Sequence, residues 1–135
     1  MADARVNRTR PVVLVVEDDA EMNDLERELL QVHGIEAVPA YSGQEAVDAC
    51  GRCHADAVLL DVMLPELDGF ETCRRIRGLN RRRVPVVVVT ALDSEDCRRR
   101  GFQVGADAYF TKPFDPDEVV ATLLRLISDS DNHKR

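Results

Sequence analysis

Four apolar segments of this 135-residue chain each stop at a reactive side chain. The segments cover residues 12–16, 57–60, 84–89 and 109–111, and the residues that follow them are Glu17-Asp18-Asp19, Asp61, Thr90 and Lys112. Continuous runs of valine and leucine are typical of strands that are covered on both faces. Because the carboxyl ends of parallel strands meet at one edge of a sheet, we expect these acids, hydroxyl and amine to lie close together.

The order of the predicted elements indicates an α/β fold. Two weaker strands fit Ile35 to Pro39 and Ala108 to Thr111, and helices are predicted within 22–32, 43–52, 70–76, 93–103 and 119–127. Strict alternation of strands and helices predicts a parallel sheet with right-handed crossovers. We therefore expect a flavodoxin-like (βα)5 fold, with a doubly wound sheet in the strand order 2-1-3-4-5 inside a three-layer sandwich.

The first and fourth helices carry the most informative local signals. Apolar residues recur every three or four positions in the first helix, at Met22, Leu25, Leu29 and Val32. Asp19 is predicted to start this helix and Gly34 to stop it. In the segment 93–103, Asp93 or Ser94 can act as N-cap, but Gly101 lowers helix propensity. We therefore expect that fourth helix to be irregular.

Length and composition fit one folded domain. We expect a polar N-terminal tail over residues 1–10, a domain over 11–129 and a polar C-terminal tail over 130–135, with the last helix ending near 127–130. Apolar residues are 44% of the chain and charged residues 32%, which is typical of a globular protein and not of a disordered one.

The charge of the chain limits its partners. A net charge of −7 argues against direct nucleic-acid binding, because a phosphate backbone would be repelled on average. Arginines at 74–75, 81–83 and 98–100 are interpreted as solvated faces, with partner docking as the alternative. No apolar stretch approaches the ~20 residues that cross a bilayer, and the N-terminus lacks a signal-peptide pattern. We expect a cytoplasmic protein without a membrane partner.

The cysteines raise a rival hypothesis. Cys50, Cys53 and His54 match the pattern of c-type haem attachment, and the Cys-x-x-Cys core also resembles half of a zinc site. Haem attachment would require export, and a closed zinc site needs four ligands. Cys50 lies on the apolar face of the predicted second helix, so a packed thiol is the favoured interpretation.

The acids at the strand ends predict a cation-dependent site. Clustered carboxylates repel each other unless a cation intervenes, and hard oxygen ligands suit Mg²⁺. Lys112 would add a second positive charge, and Thr90 a hydroxyl donor. Such a set stabilises a phosphoryl group arriving on a nucleophile. Asp61, at the end of the predicted central strand, is best placed to be that nucleophile.

The chain resembles the receiver domain of two-component response regulators, the CheY-like domain, from about Val12 to Ile127. The matching segments are Val-Val-Glu-Asp-Asp at 15–19, Leu-Asp-Val-Met-Leu-Pro-Glu-Leu-Asp-Gly at 60–69, Val-Thr-Ala at 89–91, Gly-Ala-Asp-Ala-Tyr at 105–109 and Thr-Lys-Pro-Phe at 111–114. Each segment alone would be a weak signal, but together they are specific. The resemblance implies a phosphoprotein that acts as a switch and not as a multiple-turnover enzyme.

The resemblance implies a phosphoacceptor and a metal site. Asp61 would accept a phosphoryl group from a phosphohistidine to form an acyl phosphate. Asp18 and Asp61 would ligate Mg²⁺ directly, Met63 would contribute its backbone carbonyl, and Glu17 would act through a bound water.

The resemblance also implies a switch. Lys112 would pair with the phosphoryl oxygens, and Thr90 would move towards them and leave space for Tyr109 to turn inward. The Lys112–Pro113 peptide bond is expected to be cis. Met63 and Leu92, two residues beyond Asp61 and Thr90, cannot orient a water, so we expect slow loss of the phosphoryl group. For the same reason an aspartate-nucleophile phosphohydrolase, which needs an acid or base there, is an unfavoured alternative.

The resemblance implies a sensor histidine kinase or a histidine phosphotransfer protein as the phosphoryl donor. Its docking surface is expected near the first helix, at Met22, Asn23 and Glu26. The output partner would bind the face formed by residues 93–128, and the chain is either a stand-alone receiver or part of a longer regulator or hybrid histidine kinase. Asp107-Ala108-Tyr109 and Thr122 lack a charge pair used in receiver dimers, so we expect a monomer or weak dimer.

Overall fold

The computed structural model describes residues 10–52, 54–79 and 83–133, with side chains described as far as residue 130. Cys53, Arg81, Arg82 and most of the predicted N-terminal tail lie outside these residues. Ten elements alternate along the described chain: β1 (Val12–Val16), α1 (Ala20–Val32), β2 (Glu36–Ala40), α2 (Gly43–Arg52), β3 (Ala57–Leu60), α3 (Gly69–Leu79), β4 (Val86–Thr90), α4 (Glu95–Gln103), β5 (Ala108–Thr111) and α5 (Pro116–His133).

The strands form one parallel sheet in the order β2-β1-β3-β4-β5. Val16 pairs with Leu60, and Thr90 with Thr111, so the strands end near a common level. The flavodoxin-like fold predicted from the sequence is thereby confirmed. The winding reverses between β1 and β3, and a crevice is expected at their carboxyl ends.

The core has two halves, one on each face of the sheet. Alternate residues of the central strands point to opposite faces, as in any strand. Leu14, Val16 and Leu60 pack with α2 and α3, whose buried residues include Ala46, Phe70, Cys73 and Ile76. Val13, Val15 and Leu59 pack with α1 and α5, through residues such as Leu30, Val119 and Leu123. Burying each such aliphatic side chain contributes about 1.5–3 kcal/mol, so the sheet is firmly held between its helix layers.

Helix α1 forms where predicted, but its apolar stripe is not the face that it buries. Leu25 is 58% exposed and Val32 79% exposed, whereas Asn23 and Glu26 are buried beside Leu30. The Asn23 amide explains part of this orientation, because it donates hydrogen bonds to the carbonyls of Val15, Glu17 and Ala40 at the ends of β1 and β2. Asn23 and Glu26 are therefore not part of an exposed docking surface, contrary to the sequence prediction.

The last two helices also differ from expectation. α4 is a regular helix, capped by Ser94, whose hydroxyl accepts a hydrogen bond from Cys97 N at 3.1 Å. α5 extends to His133, beyond the expected end and through part of the predicted polar tail. Only the nucleation of a helix is costly, so polar residues can prolong an established one. The Ser130 hydroxyl also donates to the Arg83 carbonyl at 3.1 Å and ties the end of α5 to the segment before β4.

The thiols that the structure describes lie in helices, as predicted. Cys50 packs against the core from α2, and Cys73 is buried in α3, where burial raises the pKa of its thiol to about 11. A protonated thiol surrounded by apolar groups is chemically inert. None of the helices in the described ranges is long and apolar enough to cross a bilayer.

Candidate phosphoryl-transfer site

The polar residues at the strand ends converge at the carboxyl edge of the sheet. Glu17 follows β1, Asp61 follows β3, Thr90 ends β4 and Lys112 follows β5. Backbone pairing continues beyond the strands, since Asp61 N donates to Val16 O at 3.0 Å and Lys112 N donates to Thr90 O at 2.8 Å. The main chain therefore decides which side chains become neighbours.

The Lys112 ammonium group lies at the centre of this edge. Its Nζ is 2.9 Å from Glu17 Oε1, 3.0 Å from Asp61 Oδ2 and 3.7 Å from Glu26 Oε2. All three carboxyl residues are buried, with exposures of 4%, 6% and 3% respectively. Buried carboxylates repel each other and lose hydration, and one ammonium cannot compensate three of them. The site therefore carries an excess of negative charge when its acids are ionised.

The pKa values of the ionisable groups at this edge depend on their burial and on their hydrogen bonds to groups of opposite charge. Burial raises the pKa of the Glu17 carboxyl above its ordinary value and outweighs the hydrogen bond from Lys112. Burial likewise raises the pKa of Glu26 to about 7, against a smaller opposing effect of Lys112. Burial lowers the pKa of Lys112, but its hydrogen bonds to Glu17 and Asp61 more than offset this, so the pKa lies above its ordinary value. Lys112 is thus a permanent cation near neutral pH.

Both carboxylate oxygens of Asp61 are oriented by the protein. Oδ1 accepts a hydrogen bond from Met63 N at 2.9 Å, and Oδ2 accepts from Lys112. The loop after Asp61 returns closely to the start of α3, where a Cβ on Gly69 would lie 2.1 Å from Val62 Cα and 2.8 Å from Asp61 O. Only glycine fits there, and this close approach fixes the backbone next to Asp61.

The adjacent acids Asp18 and Asp19 have different surroundings. Asp19 caps α1, since its Oδ1 accepts a hydrogen bond from Met22 N at 3.1 Å, which confirms the predicted helix start. Asp19 N also donates to Glu17 Oε2 at 3.2 Å. Asp18 is exposed between them. Asp18 and Asp19 are thus both exposed, and Asp19 differs from Asp18 in that it caps a helix.

The donor atoms suit a hard divalent cation. No group of three or more His, Cys, Asp and Glu side chains is arranged to hold a metal within the described part of the chain. Mg²⁺, however, is usually held by one or two carboxylates, keeps several waters and bridges to phosphate. The donors predicted from the sequence are Asp18, Asp61 and the Met63 carbonyl, and the excess of buried carboxylates over Lys112 favours a cation at this edge. The residues therefore fit Mg²⁺.

The hydroxyl of Thr90 lies at the same edge but is fully buried. Its Oγ1 accepts a long hydrogen bond, 3.4 Å, from Leu92 N. The carbonyl of Leu92 in turn accepts a 2.7 Å hydrogen bond from the Tyr109 hydroxyl. The segment after β4 is thus connected both to Thr90 and to β5.

Tyr109 already points inward in this structure, with an exposure of 7%. A Cβ on Gly101 would come within 2.8 Å of the Tyr109 ring, and the guanidinium carbon of Arg98 lies 5.2 Å from the ring centroid. Burial raises the pKa of the Tyr109 hydroxyl. The ring is therefore held between β5 and α4, and Gly101 provides the space for it.

Glu26 is the site residue whose role the sequence did not reveal. It was predicted to lie on a docking surface, because a glutamate in an amphipathic helix is normally solvated. A usable signal was its spacing of four residues from Leu30 and three from Asn23, which puts all three on one helix face. The burial of that face depends on the sheet edge that it meets, and this lies in distant parts of the chain.

Sequence comparisons relate most of the chain to a known domain. The profile of the response regulator receiver domain matches residues 13–124. The response regulator MprA of Mycobacterium tuberculosis is 40% identical over 115 residues, which are 85% of this chain and 50% of MprA. The chain spans about half the length of the curated relatives that it matches.

Solved structures of other proteins are similar to this chain in fold as well as in sequence. The receiver domain of the Francisella response regulator 1452 has 31% identity and a TM-score of 0.83, covering 90% of this chain and 99% of that one. The receiver domain of the sensor histidine kinase PA1611 from Pseudomonas aeruginosa, with a magnesium ion coordinated in its active site cleft, has 33% identity and a TM-score of 0.81, covering 89% and 99%. The two neighbours share the domain but come from different kinds of protein.

Proposed function

Because this chain belongs to the response regulator receiver domain family, we propose that Asp61 is its phosphoacceptor. The observation that carries this proposal is the buried Asp61 carboxylate, with the Lys112 ammonium 3.0 Å from Oδ2. The donor is a phosphohistidine of a sensor histidine kinase or a histidine phosphotransfer protein. An Asp61 oxygen forms the new O–P bond, the P–N bond breaks, and the imidazole keeps the bonding electrons and takes up a proton.

The other residues at the sheet edge prepare this transfer. Asp18, Asp61 and the Met63 carbonyl would hold Mg²⁺, with Glu17 acting through a water. When bound, Mg²⁺ supplies charge neutralisation for the oxygens of the phosphoryl group. Lys112 supplies a second positive charge beside Asp61 as charge develops on the phosphoryl oxygens.

The response to phosphorylation would involve Thr90 and Tyr109. The backbone carbonyl of Thr90 accepts a hydrogen bond from Lys112 N, and the Thr90 hydroxyl would move to hydrogen-bond a phosphoryl oxygen. Leu92 links this movement to Tyr109, because its N–H contacts Thr90 and its carbonyl contacts the Tyr109 hydroxyl. A change in this link would alter the face formed by residues 93–128, where an output partner binds.

The role of Asp61 can be tested by mass spectrometry after incubation with acetyl phosphate and Mg²⁺. The wild-type protein is expected to gain the mass of one phosphoryl group, and Asp61→Asn to gain none. Asp93→Asn, which removes an exposed carboxylate near the same edge, is the matched control and should be labelled like wild type. Label on Asp61→Asn at the wild-type level would remove Asp61 from this role.

The phosphoryl group should be long-lived, because neither Met63 nor Leu92 can orient a hydrolytic water. Met63 is 53% exposed, so a polar replacement would be close to solvent without disturbing the core. Met63→Asn is expected to accelerate loss of the label by about tenfold, since a positioned polar group assists water attack. Decay of the label can be followed by mass, with Met22→Asn as the control. Loss of the wild-type label within seconds would contradict the proposal and support a phosphohydrolase.

The phosphoryl donor is proposed to dock beside α1. Met22, Leu25 and Val32 are exposed there to 36%, 58% and 79%, and this apolar stripe begins at Met22, whose N–H donates to Asp19 Oδ1. This stripe replaces the predicted surface that contained Asn23 and Glu26. We place the domain in the cytoplasm, either alone or within a longer regulator or hybrid histidine kinase, without direct contact to nucleic acid or membrane.

A further inference from the structure

Glu26 is a buried acid at the phosphoryl-transfer site that the proposed reaction does not use. It lies on α1, is 3% exposed, and its Oε2 has no hydrogen-bond partner among the described residues. A buried carboxylate oxygen without a partner is unfavourable, so its retention calls for a nearby group that can satisfy it. The nearest cation is Lys112, whose Nζ is 3.7 Å away.

The geometry around Lys112 leaves room for this interaction. An ammonium group has three N–H donors, and two of them are directed to Glu17 and Asp61 at 2.9 and 3.0 Å. The distance of 3.7 Å to Glu26 Oε2 is too long for a hydrogen bond but short enough for strong attraction at a buried position. A small displacement of Nζ towards α1 would convert this ion pair into a hydrogen bond.

We propose that Glu26 is a positioning residue for Lys112, which draws the ammonium towards α1 and opposes its transfer to a phosphoryl group on Asp61. This inference rests on the proposed role of Asp61. A negative charge beside Lys112 has two consequences of opposite sign. It lowers the affinity of the site for an anion at Asp61, and it raises the affinity for a cation.

Titration of beryllofluoride, a mimic of the phosphoryl group on an aspartate, measures this effect without catalysis. With Mg²⁺ present at saturation, Glu26→Gln is expected to bind beryllofluoride about fivefold more tightly than wild type at pH 8. The isosteric glutamine removes the charge and keeps the shape. In a separate calorimetric titration, the same variant should bind Mg²⁺ severalfold more weakly.

The matched control is Glu28→Gln, which removes the same formal charge from an exposed position on α1. Its affinities should equal those of wild type. Equal changes in Glu28→Gln and Glu26→Gln would show a general charge effect and would overturn the inference. Unchanged or weaker beryllofluoride binding by Glu26→Gln would overturn it as well.

A pH series separates positioning from a merely structural role. The groups facing Glu26 are Glu17 at the end of β1, Asp61 at the end of β3 and Lys112 after β5. When Glu26 is protonated it resembles glutamine, so the affinity difference between wild type and Glu26→Gln should shrink as the pH is lowered. A difference that is constant with pH would contradict the inference.

The two proposals can fail independently. Beryllofluoride binding that is lost in Asp61→Asn supports the role of Asp61, whatever Glu26 does. Binding that survives in Asp61→Asn would refute that role. Thermal unfolding of each variant identifies any loss of folded protein, and Glu26→Leu, which also removes the charge, should shift both affinities in the same direction as Glu26→Gln.

Discussion

At the scale of single residues, the sequence identified most side chains of the site because each one follows a buried strand. Glu17, Asp61 and Lys112 meet, and Thr90 ends a strand at the same edge, since their positions follow from strand ends and parallel pairing. Glu26 could not be identified in this way. Its burial results from the packing of α1 against the sheet edge, and its place on the same helix face as Asn23 and Leu30 becomes informative only when that contact is known.

The ionisation of Glu26 gives a residue-scale prediction for stability. Its folded pKa of about 7 lies above the ordinary value of 4.5, so the folded state disfavours the charged form. The resulting contribution to stability is fully present below pH 4.5 and is lost as the pH rises through 7. Glu26→Gln stays neutral and should therefore gain stability relative to wild type with rising pH, on the order of 1–3 kcal/mol at pH 8.

Urea unfolding of both proteins at pH 5 and pH 8 measures this difference. The control is Glu28→Gln, whose unfolding free energy should follow that of wild type at both pH values. A constant gap between wild type and Glu26→Gln at the two pH values would show that Glu26 is not a neutralised buried acid in the folded protein.

At the scale of secondary structure, helix propensity and helix packing disagree in α4. Gly101 weakens a helix on its own, which is why the sequence indicated irregular structure. The fold needs it nonetheless, because a Cβ there would lie 2.8 Å from the Tyr109 ring. Sequence patterns predicted the position of each helix and the packing of Cys50 from α2, but the apolar stripe of α1 is not the face that this helix buries.

Substitutions of helical glycines by alanine test this conflict. Gly101→Ala should destabilise the protein by about 1–3 kcal/mol, because overpacking against Tyr109 outweighs the gain in helix propensity. Gly78→Ala in α3 is the control, since nothing lies within 4 Å of its added Cβ, and it should stabilise by about 0.5–1 kcal/mol. Free energies of unfolding from urea titration give both values. A Gly101→Ala protein at least as stable as wild type would mean that the contact with Tyr109 relaxes easily.

At the scale of the whole molecule, acidic side chains have different kinds of partner at the two edges of the sheet. At the amino edge, Asp107 Oδ2 accepts hydrogen bonds from Val86 N at 2.8 Å and from Arg77 Nη2 at 2.6 Å, and Asp107 also pairs with Arg83. These contacts satisfy the carboxylate within the fold. At the carboxyl edge, Lys112 is shared among Glu17, Asp61 and Glu26, and the excess negative charge there favours a cation. Asp107 therefore has its partners within the fold, whereas the buried acids beside Lys112 share one cation.

The contacts of Asp107 affect whether two copies of the chain can associate. Asp107 is engaged within the molecule, and Ala108 and Thr122 cannot form ion pairs across an interface. With a net charge of −7, two copies also repel each other. Analytical ultracentrifugation at micromolar concentration is expected to show a monomer, with and without beryllofluoride. A stable dimer in either condition would show that another surface mediates self-association.

The backbone hydrogen bond between Lys112 N and Thr90 O, 2.8 Å long, has a consequence for how such a site can diverge in evolution. Thr90 and Lys112 are joined through their main chains, so the spacing of their backbones is determined by the geometry of the sheet and not by their side chains. Replacement of neighbouring side chains would change the surroundings of the site without altering that backbone spacing. The side chains around the site can therefore diverge while the backbones that carry Thr90 and Lys112 keep their relative position.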